Sequence, residues 1–133
     1  MKQLLPPGWP RPKGYSNGIL AEGQFVFVAG MIGWDKRGRL PSDFVDQLAQ
    51  VLKNTIAVLE QGGTGPENIV RMTWYVKGLD LYRKNLSRVG RVYLDIVGRN
   101  FPAMAVVGIT ELVEPQALIE IETTAVVEPG LRQ

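Results

Sequence analysis

Ala117-Leu118-Ile119-Glu120-Ile121-Glu122-Thr123-Thr124-Ala125 is the stretch on which the fold turns. Ile119, Ile121, Thr123 and Ala125 alternate with Glu120, Glu122 and Thr124, which is the period of two of a strand. The two glutamates then share one strand face, about 7 Å apart by the rise per residue. On the residues alone they read as solvated groups or as partners of a cation on a neighbouring strand. As a glycosidase-like pair they fail, because no sugar-binding aromatic cluster accompanies them.

Working outward, Met104 to Thr110 is a second β-rich run, and the strand-like stretch around Glu120 extends from Ala117 to Val127. Upstream, Tyr82, Leu86, Val89, Tyr93, Ile96 and Val97 mark the buried stripe of a helix between Asp80 and Gly98. Ile69 to Val76 reads as a strand with Val70, Met72, Trp74 and Val76 on one face and Ile69, Arg71, Thr73 and Tyr75 on the other. A first helix follows Ser42, the expected cap, with Asp43 in its first turn. Phe44, Leu48, Val51, Leu52, Ile56 and Leu59 recur along it at three to four residues, and Gly62-Gly63-Thr64-Gly65-Pro66 stops it. Asp35-Lys36-Arg37-Gly38 is a turn, and Gln24 to Gly30 a strand. Four prolines within residues 1–14 predict an extended arm without helix.

Strands and two helices in this order predict an α+β sandwich, a mixed sheet with both helices on one face. The other face needs a cover. Phe25 and Phe27 alternate with Val26 and Val28, so both sides of the first strand are apolar, whereas a solvated sheet face is polar. Burial against other subunits is the economical solution, and cover by loops or by the proline arm is the alternative.

Composition narrows the chemistry. At 133 residues the chain fits one domain over its whole length, and its 45% hydrophobic and 21% charged residues are those of a folded protein. With no cysteine and no histidine, thiol nucleophiles, Ser-His-Asp arrangements and the usual nitrogen and sulfur ligands of zinc are excluded; no metal and no cofactor are expected. Acid-base work falls to carboxylates, Lys, Tyr, backbone groups or positioned water. A net charge of +2 is too mild to imply nucleic acid. No apolar run reaches the roughly 20 residues needed to span a bilayer, and the N-terminus lacks a signal-like segment, so no membrane partner and a cytoplasmic location are expected.

Asn100-Phe101-Pro102-Ala103-Met104, followed by the Glu120-Ile121-Glu122 strand, resembles the C-terminal signature of the Rid (YjgF) family of enamine and imine deaminases. In that family Pro-Ala-Arg precedes a strand ending in Glu-Ile-Glu and a small residue. Gly14-Tyr15-Ser16-Asn17-Gly18-Ile19 is similar to the family's Gly-Pro-Tyr-Ser-Gln-Ala-Ile, and Val28-Ala29-Gly30-Met31 to its strand end Val-Ser-Gly-Gln; Gln47 and Asn54 follow its first helix. The resemblance covers nearly the whole chain. It implies a single Rid-like domain with a chorismate-mutase-like sandwich, assembled as a homotrimer around a central barrel, with small-molecule ligands in clefts where subunits meet.

In archetypal members a 2-imino acid is hydrolysed to a 2-keto acid and ammonia. The arginine clamps the substrate carboxylate, for which a planar guanidinium fork is suited, and the first glutamate of Glu-Ile-Glu holds the attacking water. By motif these positions are Met104 for the arginine, Glu120 for the glutamate and Tyr15 for a tyrosine bordering the cleft. The polar residues expected at Gly90, Ala105 and Val106 are likewise replaced. The resemblance therefore implies a more apolar cleft and either a deaminase-like enzyme of altered specificity, with Glu120 catalytic, or a ligand-binding relative without deaminase activity. Gly30, Met31 and Trp34 fall at the strand end beside the implied cleft, with Tyr15, Met104, Ala105 and Val106 as the other substrate-binding candidates. Arg71 and Arg99 are candidates for the missing cation. On the residues alone, a strand methionine such as Met104 is more often core filler than pocket lining, and Trp34 is equally a surface or interface side chain.

Overall fold

The alternation in Ile119–Val127 places that strand in the middle of a sheet. In the computed structural model, which describes residues 1–129, Lys2–Leu4 (β1) and Gly18–Leu20 (β2) form a small antiparallel pair. Gln24–Met31 (β3), Ile69–Lys77 (β4), Ala103–Ile109 (β5) and Ile119–Val127 (β6) form a four-stranded sheet in the order β3-β6-β4-β5. β6 runs antiparallel to both neighbours, while β4 and β5 are parallel. Parallel neighbours require a crossover, and Leu79–Lys84 (α2) and Leu86–Ile96 (α3) supply it. Phe44–Gln61 (α1) connects β3 towards β4.

The helices and one sheet face share the core. Leu48, Val51, Leu52 and Leu59 of α1 are buried, as are Val89 and Tyr93 of α3; they pack with Met72, Trp74 and Val76 of β4 and Ile119 and Ile121 of β6. Burying each such side chain stabilises the fold by roughly 1.5 to 3 kcal/mol. The opposite face carries Phe25 and Phe27 at 55% and 75% exposure, their rings 5.7 Å apart. Within one chain neither the loops nor the N-terminal arm covers them.

Several local expectations are corrected. Asp43, not Ser42, caps α1: its carboxylate accepts the N–H of Asp46 at 3.1 Å and the Arg88 guanidinium at 3.0 Å, a combination the hydroxyl of Ser42 does not offer. These bonds hold the Asp43 carboxyl below its ordinary pKa, the Arg88 contact contributing most. The single helix expected over 80–98 is broken at Asn85, whose side-chain amide donates to the Leu81 carbonyl and competes with the helical ladder. Ile69 joins the core instead of sharing a face with Arg71, because the pairing with β6 slips between the two residues. Residues 1–14 contain no helix, as expected, but Lys2–Leu4 is recruited into the small sheet.

Candidate active site

Alternation along β4 decides which candidate residues can meet. Met72 pairs with Met104 of β5, and Tyr75 pairs with Glu120 of β6. Tyr75 lies three positions beyond Met72, an odd offset, so the two pairs lie on opposite sheet faces. Met104 belongs to the helix side and Glu120 to the open side. The same parity sends Val106, opposite buried Trp74, with Met104, and exposed Ala105, opposite Thr73, away from it.

On the helix side, β4, β5 and α3 enclose a cavity of about 420 Å³. Tyr15, Met104 and Val106 line it together, which unites three of the candidates. Tyr15 arrives from far upstream because Ser16 is tied to the start of β5. The Ser16 N–H donates to Pro102 O at 2.9 Å, the Ser16 hydroxyl to Phe101 O at 2.5 Å, and Ser16 bridges Ala103 in parallel. The opposite wall is Tyr93 and Phe101, stacked at 5.9 Å with 14° between their planes. The Tyr93 hydroxyl donates to Asn100 O at 2.5 Å, fixing the turn that carries Arg99 and Phe101; burial pushes the Tyr93 hydroxyl pKa far up, so it stays a donor. Gly98, at φ 78°, makes that turn in the left-handed region glycine favours. Trp74 forms the floor at 2% exposure, 6.2 Å from the Tyr93 ring and edge-on to Tyr82, and its buried indole N–H has no acceptor among the described residues.

Charge enters this cavity only at its rim. Lys13 and Arg99 are exposed lining residues, and among the described residues no carboxylate lines it. Of the two arginines considered for the missing cation, Arg99 is therefore the one brought to Met104; Arg71 lies on the open face beside Phe27 and Glu122. Met104 itself is half-buried, packs against the core and lines the cavity.

The open face holds Glu120 and Gly30, while Met31 and Trp34 follow at the strand end. Glu120 is half-buried, and its carboxylate occupies the space above Gly30: a Cβ at that position would stand 2.5 Å from Glu120 Oε2. A glycine is thus what lets the carboxylate lie there. Gly30 itself sits in a bulge, where Ala29 and Gly30 of β3 face only Glu122 of β6 between the pairs Val28–Thr123 and Met31–Ile121. Met31, next along, is half-buried against the core. Beyond it, Asn54 of α1 donates to the carbonyls of Ile32 at 3.2 Å and Trp34 at 2.8 Å, so the helix fixes the segment from which Trp34, 48% exposed, projects. Gln47, also on α1, is buried with its amide donating to Pro41 O and Gln116 O and accepting from Leu118 N, which locks the approach to β6. Tyr75, the cross-strand partner of Glu120, donates to Glu122, the next residue of β6 on this face, at 2.5 Å, and this bond raises the tyrosine pKa.

Within one chain, then, Tyr15, Met104 and Val106 share a cavity, while Glu120 and Gly30 meet on the other face with Met31 and Trp34 at the adjoining strand end. Sequence reasoning gave no site role to Lys13, Trp74, Tyr93 or Phe101. The apolar periodicity of Trp74 and Tyr93 signalled core, Lys13 carried no signal, and only the proximity of Phe101 to Met104 in the chain pointed to the cavity.

Among known proteins, the family model described as Endoribonuclease L-PSP matches residues 10–127. A RutC family protein of Aquifex aeolicus is 36% identical over 128 residues, covering 95% of this chain and 99% of its own length. Another RutC family protein, from Pyrococcus horikoshii, is 36% identical over 87% of this chain and 90% of its own. A solved structure of a Yersinia pestis protein of unknown function superimposes with a TM-score of 0.83 at 28% identity, over 95% of this chain and 98% of that one.

Proposed function

The chain belongs to the Rid (YjgF) family, and from that premise we propose that it hydrolyses a reactive imine or enamine to a carbonyl compound and ammonia, with a specificity different from that of members carrying the arginine. The observation that carries this reading is the cavity holding Tyr15 and Met104 at the positions where the family motif puts its ligand. Water adds to the C=N carbon while the Glu120 carboxylate takes one of its protons and passes it to nitrogen, giving a carbinolamine; the carboxylate then carries the hydroxyl proton to nitrogen as the C–N bond breaks and the C=O forms, so that ammonia leaves. Met104 offers no counterpart to a substrate carboxylate. Losing a charge-assisted bond of about 1.5 to 3 kcal/mol disfavours small imino acids held from that position.

Glu120 and Met104 lie on opposite faces of one chain, so the reading requires a second copy to bring the Glu120 face of one subunit to the cavity of its neighbour. We place the site in the clefts of a homotrimer whose exposed Phe25 and Phe27 face a central barrel. Closed cyclic assembly buries the apolar face without leaving it open to further association. Light scattering is expected to give about three times the chain mass, and a stable monomer would sink the assembly.

A second reading, a small-ligand-binding protein without deaminase activity, is favoured by the apolar lining around Met104. One assay separates the two. Imines generated in situ by an amino-acid oxidase are supplied and ammonia release is followed in wild type and Glu120→Gln. Release that is lost in the variant supports hydrolysis. Equal slow release with and without protein leaves binding as the function.

A further inference from the structure

We propose that the cavity beside Met104 takes an aromatic 2-oxo acid or its 2-imine, with the ring held by Trp74, Tyr93 and Phe101 and the carboxylate at the rim by Arg99 and Lys13. This rests on the reading of the cavity as the ligand site and adds the class of ligand and the anion-binding residue.

Three observations carry it. First, the deep walls are a continuous aromatic array: Trp74 stands 6.2 Å from Tyr93, and Tyr93 5.9 Å from Phe101. A planar ring extends such an array by offset or edge contacts. At about 420 Å³ the space is that of a site for a drug-sized ligand; a three-carbon acid would leave these walls largely uncovered.

Second, Gly90 lies inside α3, where glycine is among the poorest helix formers. Neither a left-handed backbone nor a close neighbour explains it: its φ is not positive, and a Cβ there would meet nothing within 4 Å. Gly90 is exposed and lines the cavity, so its effect is to leave a notch in the wall.

Third, the charge is one-sided. Lys13 and Arg99 are the charged lining residues, both exposed at the mouth, and neither has an ion-pair partner among the described residues. An apolar interior under a cationic rim fits an amphipathic anion, ring inward and carboxylate outward. Arg99 carries the fork that Met104 lacks, displaced outwards by the depth of the ring.

Calorimetric titration of the full chain with phenylpyruvate, pyruvate and benzyl methyl ketone tests this. Phenylpyruvate is expected to bind at least about tenfold more tightly than pyruvate, from burial of the ring, and at least about tenfold more tightly than the ketone, which lacks the carboxylate. Arg99→Gln should erase the margin over the ketone and keep the margin over pyruvate. Gly90→Leu, which places a better helix former into open space, should keep the thermal stability and lose phenylpyruvate binding. Equal or tighter binding of pyruvate, an undiminished ketone margin in Arg99→Gln, unchanged affinity in Gly90→Leu, or no binding of phenylpyruvate at all overturns the proposal. Because binding needs no turnover, the expected margins without ammonia release would refute hydrolysis alone, whereas ammonia release from small imines without the phenylpyruvate margin would refute the aromatic class alone.

Discussion

The two faces of the sheet are built from the same four strands, yet they do different things with their polar groups. The helix face keeps charge out: Trp74, Met104 and Val106 look towards α3, and cations stand only at the rim. The open face mixes charge with exposed aromatics, with Glu120 over Gly30, Tyr75 bonded to Glu122, and Phe27 75% exposed beside them. A finished core needs no further partner, whereas a face of exposed phenylalanine with directed carboxylates is half of something. A cavity and a candidate catalytic group can thus belong to one chain and still not to one site.

The largest effect is expected from breaking the helix face. Trp74→Ala removes the cavity floor from a fully packed strand, and about 3 to 5 kcal/mol of stability should go with it, read by urea denaturation. A loss below about 1 kcal/mol would mean that the floor is loosely packed and the two faces less distinct than described. Next comes Phe27→Glu on the open face. Since Phe27 contributes little to the chain's own core, the variant should keep its far-ultraviolet circular dichroism while light scattering gives the monomer mass in place of the mass expected for the proposed trimer.

A smaller effect attends the helix layer's own polar tether. Asp43→Ala should cost about 1 kcal/mol through loss of the cap, its half-exposed ion pair with Arg88 adding little. Because the folded-state pKa of Asp43 is lowered from 3.8, its contribution is present above that value and lost as pH falls through the lower folded value. Acid melts of wild type and Asp43→Ala should therefore converge at the lowest pH.

The smallest effect lies on the open face and has the opposite sense. Tyr75 has a folded-state pKa raised above 10.0, so the stability it confers is complete below that value and lost as pH rises through the folded one. Glu122→Gln removes the carboxylate that accepts from the phenol, and the Tyr75 pKa should return towards its ordinary value. NMR titration of ring-labelled tyrosine checks this, and an unchanged Tyr75 would show that Glu122 is not the cause.

What was legible in the sequence followed from short-range periodicity. Period two in Ile119–Val127 and Ile69–Lys77 and the recurrence of Leu48, Val51, Leu52 and Leu59 record which side of each element is apolar, because a strand or helix fixes side-chain direction locally. Motif order gave the family, and with it Tyr15, Met104 and Glu120 as candidates. Their distribution over two faces was not legible, since it depends on the register of β4 against both β5 and β6, set by pairings across tens of residues. The break at Asn85 and the cap at Asp43 were missed for a related reason: each is decided by a side chain's choice between competing hydrogen-bond partners.

The chain's own periodicity specified β3, α1, β4 and β6, the α+β class and the apolar character of both sides of β3, but not the β1–β2 pair or the break between α2 and α3. Tertiary structure alone decided that Lys13, Tyr15, Trp74, Gly90, Arg99 and Met104 line one cavity and that Glu120 does not. The physical reason is that periodicity acts through the local backbone, while a cavity is the space left between elements whose spacing is settled only when the whole core packs.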